Sequence, residues 1–317
     1  MDEATAYNHD GMATRDHYVS RFFLSNFTDP SSAFHSQPWI WVTDLSAGNP
    51  RKRAPKNIGW ARDLFAGPGG LADRERRLEE YIAGQIEGPA APALRSFCDI
   101  AIGQPKEIPP ELCRYMSWLA ARSITMKTLY ESWIADLEPL EYTVFAEEPP
   151  DGLMSVAPAP ERAHTMEHPE AGVRTDVSAD EIETLRLQGW RWLLTKQDFL
   201  EMVHIQAYYF QARFFPRLVW RVLHAPEGTW FVTCDRPVAW GVDGSWEVPP
   251  SALRHSRAEL IVPISRSRAL YATNRSGALI EPVSPRRVNR VMATVAHHWI
   301  AGPQRRVVAE SFRDRAT

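Results

Sequence analysis

Apolar side chains near the beginning of the sequence recur at the spacing of a helix. In the stretch DHYVSRFFLSNF (16–27) five of them fall on one face when the chain is wound at 3.6 residues per turn. They are Tyr18, Val19, Phe22, Phe23 and Phe27. This pattern predicts an amphipathic helix with Asp16 as its N-cap. His17, Arg21 and Asn26 fall off the apolar stripe.

Three longer stretches repeat this helical spacing. They lie at 72–101, 109–137 and 196–215. In the first stretch Leu78 and Ile82 share one face, while glutamates occupy the other faces. The sequence therefore predicts that helices dominate the chain as far as the third stretch.

The pattern changes after Pro216 to β-branched and aromatic runs separated by turns. The runs RLVWRVLHA, TWFVTCDRPVAWG, AELIVPIS and RALYATN predict an antiparallel β meander near 217–273. A last helix follows, with Ser284 as N-cap, Pro285 in the first turn and Gly302 as its end. The predicted fold class is α+β, with a mostly helical first two thirds, this meander and a C-terminal helix.

A chain of 317 residues fits one large domain or two modest ones. We interpret 14–303 as a single α+β domain, preceded by a disordered tail at 1–13 and followed by a tail at 304–317. Residues 147–180 are rich in proline, alanine and acids and have no period. That composition indicates a mobile insertion.

Charge and cysteine content narrow the class of protein. The net charge of −3 lacks the strong basic bias of a nucleic-acid coat protein, although the arginine-rich C-terminal third favours an anionic partner. Cys98, Cys113 and Cys234 form no CxxC pair, which is typical of reduced thiols in the cytoplasm. The polar N-terminus and the lack of a long apolar run predict a cytoplasmic protein without a membrane partner.

Three stretches in this order resemble a known bacterial family. They are HYVSRFFLSNF at 17–27, VTCDRPV at 232–238 and LIVPISRSRALYAT at 260–273. The segments LEEYIAGQIEG, LAARSITM and VNRVMATVA resemble helices of the same family. Over about residues 15–300 the chain thus resembles the family described as domain of unknown function 4238. It departs from the family pattern at Ser20, where the family has proline, and at Cys234, where it has serine.

The resemblance supplies candidate positions rather than a reaction, because the family has no agreed activity. The positions that match its recurrent polar residues are His17, Arg21, Asn26, Glu80, Glu87, Arg122, Asp235 and Asn289.

His17 and Arg21 are four residues apart, so they share one face of the predicted helix. A guanidinium beside the imidazole would lower the pKa of His17 and favour a neutral ring that acts as a base or a ligand. The alternative is that His17 donates to a backbone carbonyl and has only a structural role.

The predicted carboxylates also have two interpretations each. Asp235 follows a buried strand and precedes Arg236, so it either accepts hydrogen bonds in a turn or projects into a cleft. Glu87 stands at a helix end, where its charge opposes the helix dipole, and Arg122 on the next helix is its expected partner. That pair is either structural or part of a site shared with His17 and Asp235.

Two classes of function fit these residues, and the sequence leaves open whether the protein is an enzyme. The first is a metal-dependent hydrolase or nuclease in which carboxylates hold Mg²⁺ or Mn²⁺. Its catalytic residues would be His17, Glu87 and Asp235. An anionic small molecule or a nucleic acid would be bound by Arg21, Arg122, Asn26 and Arg236. The second is a non-catalytic module in which the same residues recognise a nucleotide, a phosphorylated ligand or a partner protein, or form a purely structural network.

Overall fold

Two four-stranded antiparallel sheets, each assembled from distant parts of the chain, organise the fold. The computed structural model describes residues 15–62, 64, 81–98, 107–128, 143–144, 173–174, 203, 206–208, 210–246, 248, 250–274 and 283–315. The predicted tail at 1–13 lies outside the described residues. So does the predicted insertion at 147–180, apart from one short strand at Val173–Arg174.

The strands in chain order are β1 (Arg15–His17), β2 (Ile40–Asp44), β3 (Arg51–Arg53), β4 (Trp60–Arg62), β5 (Thr143–Val144), β6 (Val173–Arg174), β7 (Val219–His224), β8 (Thr233–Cys234), β9 (Ala239–Val242), β10 (Ala258–Ser265), β11 (Arg268–Thr273) and β12 (Trp299–Gly302). The α-helices are α1 (Arg21–Ser25), α2 (Gly88–Cys98), α3 (Pro110–Ala121), α4 (Pro285–Val295) and α5 (Arg305–Asp314). Segments of π-helix occur at Ile82–Glu87 and Phe210–Phe214.

The first sheet has the strand order β3-β2-β12-β8 and the second has the order β7-β11-β10-β9. In the first sheet Trp299 of β12 lies opposite Asp44 of β2, so segments from far apart in the sequence form its centre. The second sheet is built mainly by the hairpin β10–β11, whose register shifts by a bulge between Pro263 and Ser265. Two short antiparallel pairs, β1–β4 and β5–β6, complete the described strands.

Both sheets contribute side chains to each of two hydrophobic cores. Helix α3 and the second sheet enclose the larger core, in which Trp118 and Trp220 are almost completely buried. Helices α4 and α5 pack on the first sheet around Phe231, Ile300 and Val308. Burial of these large apolar side chains is the main source of stability for both layers.

The prediction that the first two thirds are mostly helical is wrong. In the described residues the N-terminal region, 15–62, contains four strands and only one short α-helix. The predicted helix at 16–27 shrinks to α1, and its N-cap is Ser20 rather than Asp16. Tyr18 and Val19 matched a helical stripe, but they are buried from the turn that follows β1.

The predicted meander and last helix also need correction. Strand β7 pairs with β11 instead of its successor, and β8 leaves to join the other sheet. Ser284 does cap α4, since the backbone N–H of Arg287 donates to its hydroxyl at 3.2 Å. The helix nevertheless ends at Val295, and the chain continues as β12 instead of reaching Gly302 in helical form.

The stretch predicted as a tail, 304–317, is ordered over most of its length. Residues Arg305–Asp314 form α5, which packs on β2 and β12. Val308 and Ser311 of this helix are buried. An apolar residue at one helical face is enough to dock this otherwise charged segment.

The turn after β1 depends on one glycine. The backbone N–H groups of Tyr18 and Val19 both donate to the carbonyl of Gly59, at 2.9 and 3.1 Å. Gly59 has a φ of +68°, and a Cβ built there would lie 2.9 Å from the carbonyl oxygen of Val19. The site therefore requires a residue without a side chain.

We expect Gly59→Ala to destabilise the fold by about 2–4 kcal/mol, because it adds a backbone clash to a left-handed conformation. The matched control is Gly228→Ala, since Gly228 has a φ of +77° with no atom within 4 Å of the added Cβ. This control should lose only about 1 kcal/mol. Urea unfolding of both variants measures the difference, and equal losses would contradict the close approach at Gly59.

Candidate functional site

The segment from His17 to Ser20 leads into α1 and carries the first polar groups of the site. Strand β1 places His17 opposite Trp60 of β4. Ser20 then accepts a hydrogen bond from the backbone N–H of Phe23 at 3.3 Å. Its hydroxyl also lies 2.9 Å from the hydroxyl of Tyr115 on α3. The N-cap of a short helix is thereby tied to a second element of the core.

The ion pair that the sequence predicts between Glu87 and Arg122 is present. Arg122 Nη2 lies 3.0 Å from Glu87 Oε1. The Arg122 side chain is 2% exposed and that of Glu87 is 20% exposed, so the carboxylate connects a buried guanidinium to the surface. Glu87 is the last residue of the π-helix Ile82–Glu87, and Arg122 is the C-cap of α3. Such wide helical turns are frequently found where a side chain must be aimed at a site.

His17 lies in the electric field of this pair. Burial is the largest cause that lowers the pKa of His17, and the charges of Arg122 and Arg15 lower it further. A hydrogen bond to the backbone of Lys56 and the charge of Glu87 act in the opposite direction but are outweighed. Burial and these two arginines therefore favour the neutral imidazole. Arg21, which the sequence predicted to share a helix face with His17, is not among these causes, because His17 belongs to β1 rather than to that helix.

Two buried polar atoms of this group have no hydrogen-bond partner among the described residues. They are His17 Nε2 and Arg122 Nε. The Arg122 atom is a donor, and the free nitrogen of a neutral His17 bonded to backbone through its other nitrogen is an acceptor. Buried groups of this kind are normally satisfied, so the cluster retains one unused acceptor and one unused donor.

Tyr115 completes the group. Burial is the main cause that raises the pKa of Tyr115 far above its ordinary value, with the charge of Glu87 adding to it. The hydroxyl therefore stays protonated. We call His17, Ser20, Glu87, Tyr115 and Arg122 the His17–Arg122 cluster.

An open groove of about 400 Å³ is lined by residues of α1 and of the segments 36–38 and 54–56. Arg21 and Lys56 contribute its cations, and both are exposed. Polar side chains at Ser25, Thr28 and Gln37 also line it. Among the described residues no carboxylate lines the groove, so the groove is electropositive. The groove and the cluster meet at Lys56, whose side chain lines the groove and whose backbone bonds His17.

The carboxylate of Asp235 has a structural use. Its Oδ1 accepts hydrogen bonds from the backbone N–H groups of His297, His298 and Trp299 at 3.0–3.3 Å. Asp235 is 1% exposed. The geometry therefore agrees with the turn-forming interpretation of Asp235, and it explains why α4 ends before these three residues.

Two further candidate substrate-binding residues also lie apart from the cluster. The guanidinium of Arg236 contacts His297 at 3.2 Å and lies 5.8 Å from the centre of the Trp240 ring. Asn26 is the C-cap of α1, and its backbone carbonyl accepts from the N–H of Arg266 at 3.0 Å. The structure thus brings together His17, Glu87 and Arg122 and places Arg21 in the adjoining groove.

Asn289 from the family pattern has a structural contact. Its side chain accepts from the backbone N–H of Val232 and donates to the carbonyl of Trp230, both at 2.9 Å. Glu80, the remaining position of that pattern, lies outside the described residues. Sequence reasoning missed Ser20 and Tyr115. A serine just before the first helical residues signals an N-cap, whereas nothing in the pattern around Tyr115 distinguishes it from other core aromatics.

The described residues contain no group of three His, Cys, Asp or Glu side chains that could hold a metal ion. Burial raises the pKa of the Cys113 thiol to about 12 and raises that of Cys234 well above its ordinary value. Neither is a thiolate nucleophile at neutral pH. None of the helices in the described part of the chain is long and apolar enough to cross a membrane.

Comparison with known proteins agrees with the sequence motifs. The family model described as "Protein of unknown function (DUF4238)" matches residues 15–306. The chain therefore belongs to this family, which confirms the resemblance predicted from its motifs. No curated protein and no solved structure matches the chain.

The depressed pKa of His17 predicts how stability depends on pH. Because the unfolded state binds the proton more tightly, His17 contributes stability above about pH 6.5, and this is lost as the pH falls through the folded pKa. We expect wild type to lose stability relative to His17→Asn between about pH 7 and pH 5. Urea unfolding across this range measures the difference. His298→Asn, at an exposed histidine, is the control, and the same behaviour in both variants would refute the prediction.

Asp235→Asn should destabilise the protein by about 2–3 kcal/mol, because an amide provides one acceptor oxygen and turns a donor toward backbone N–H groups. The matched control is Asp243→Asn, at an exposed turn position with a φ of 52° that asparagine adopts readily. Thermal unfolding compares the two variants. A stable Asp235→Asn variant would return this carboxylate to the list of candidate catalytic groups.

Proposed function

We propose that this member of the DUF4238 family binds a small anionic ligand in the groove of Arg21 and Lys56, beside the His17–Arg122 cluster, and acts as a recognition or sensing module. The observation that carries this proposal is the charge of the groove. Two exposed cations and several polar side chains line it, without a carboxylate among the described residues. Such a surface favours phosphate or carboxylate groups.

The distribution of charge in the N-terminal region supports the same conclusion. Residues 15–62 carry seven lysines and arginines against three aspartates, although the whole chain has a net charge of −3. The aspartates face inward or are engaged: Asp16 is buried, Asp44 pairs with Arg53 at 2.6 Å, and Asp29 accepts hydrogen bonds from Ser31. Several of the cations are left facing solvent, so an anion approaches a positive potential.

The position of His17 makes this a site that can respond to its ligand. Lys56 lines the groove, and its backbone is hydrogen-bonded to His17. The negative charge of an anion bound there would therefore raise the pKa of His17. Binding would then be coupled to proton uptake and would tighten as the pH falls. A structural network without a ligand has no such coupling.

The metal-dependent hydrolase considered from the sequence fits the geometry less well. It requires Glu87 and Asp235 to share one ion, but the Asp235 carboxylate is engaged with three backbone N–H groups on another part of the fold. Glu87 in turn is bonded to Arg122. These residues support recognition better than oxygen coordination of a divalent ion.

Isothermal titration with inorganic phosphate tests the proposal. We expect saturable binding that weakens about 5- to 10-fold in Arg21→Ala and in Lys56→Ala, because each change removes a charge-assisted hydrogen bond. Added salt should weaken binding as well.

Arg290→Ala is the matched control, since Arg290 is exposed on α4 and lies outside the groove. It should bind phosphate like wild type. Absence of saturable binding to wild type, or an equal loss in the control, would overturn the proposal.

A further inference from the structure

An exposed aromatic side chain lies close in the chain to residues that line the groove. Phe34 is 100% exposed, and Ser36 and Gln37, which line the groove, follow it. Two residues of extended chain span at most about 7 Å, so the Phe34 backbone lies within about this distance of the polar lining at Ser36. Because the side chain is fully exposed, its ring is open to contact with a ligand.

The loop that carries Phe34 is fixed at its base. The backbone N–H of Asp29 donates to the carbonyl of Trp39 at 2.8 Å, which closes the loop from 29 to 39. Ser32 bridges the two sides, because its hydroxyl donates to the carbonyl of Asp29 and accepts from the N–H of Trp39. A loop of this size whose ends are hydrogen-bonded to each other is compact and holds the side chain at its tip in a defined position.

Aromatic rings and a carboxylate support the loop from below. The Asp29 carboxylate accepts from the indole N–H groups of Trp39 and Trp41 at 3.3 and 2.9 Å. The His35 ring lies 4.7 Å from the Trp39 ring, and the Lys52 ammonium lies 4.2 Å from the centre of the same ring. These contacts hold π surfaces and cations side by side at the edge of the first sheet.

We infer that the anionic ligand of the groove is a nucleotide, whose phosphate lies between Arg21 and Lys56 and whose base stacks on Phe34. This inference rests on the proposed anion site and adds the base to it. Cationic grooves with exposed aromatic side chains are the arrangement that binds the backbone and bases of nucleotides. Gln37 offers an amide with both donors and acceptors for the edge of the base.

The test compares inorganic phosphate, adenosine 5′-monophosphate and a short single-stranded oligoadenylate by isothermal titration. We expect the monophosphate to bind about 10-fold more tightly than phosphate, because stacking adds to the anion contact. Phe34→Ala should remove this gain and leave phosphate binding unchanged. Phe34→Trp should retain the gain, and Phe34→Leu, which is apolar but has no π face, should lose it.

The outcomes separate this inference from the proposed function. If phosphate binds but the monophosphate binds no more tightly, the nucleotide inference is overturned and the anion site stands. If neither binds, both are overturned. Binding of the oligoadenylate that is tighter than that of the monophosphate and steeply dependent on salt identifies a nucleic-acid strand as the source of the nucleotide. Equal affinities identify the free nucleotide.

Because Phe34 is fully exposed, its variants should unfold at the wild-type temperature. A large fall in the unfolding temperature of Phe34→Ala would show that the side chain supports the loop, and it would overturn its assignment as a stacking surface.

Discussion

The positive charge of Arg122 is the constraint around which the candidate site is organised. A guanidinium does not lose its proton in a protein, and this one is almost fully buried. The fold must therefore place a carboxylate beside it, and the π-helix ends at Glu87 where that carboxylate is needed. Burial lowers the pKa of His17, and the charge of Arg122 lowers it further. One buried cation thus requires a carboxylate beside it and contributes to the protonation state of a neighbouring histidine.

The ion pair between Glu87 and Arg122 was predicted on a premise that the structure contradicts. The sequence placed Glu87 at a helix end, but the π-helix Ile82–Glu87 continues directly into α2, so the helix dipole does not explain the pair. The turn around Tyr18 could not be predicted, since its hydrogen bonds go to Gly59, and no local pattern reveals a partner 40 residues away. For the same reason the pairing of β2 with β12 could not be predicted from the sequence. Asp235 had two local interpretations, and its hydrogen-bond partners His297 and Trp299 lie more than 60 residues away in the sequence, where no local pattern reveals them.

The positive charge of the groove surface results from the contacts that the aspartates of the N-terminal region make inside the fold. Asp29 binds two indole groups, and Asp44 neutralises Arg53 in the first sheet. These aspartates stabilise the strands and the loop around them, which leaves the remaining cations facing water. The positive potential of the groove therefore needs no special cationic motif in this fold. It results from the internal use of the negative charges.

The pairing of β2 with β12 has a consequence for how the protein is made. Trp299 donates its indole N–H to the Tyr18 hydroxyl across 281 residues of sequence, and the strand of Trp299 lies at the centre of the first sheet. On the ribosome β2 can pair with β3 early, but its other edge remains unpaired until β12 has emerged. Closing so long a loop is slow, and exposed strand edges invite association in the meantime. Early-made β2, with its row of tryptophan, valine and isoleucine, is the segment that a chaperone would have to shield during synthesis.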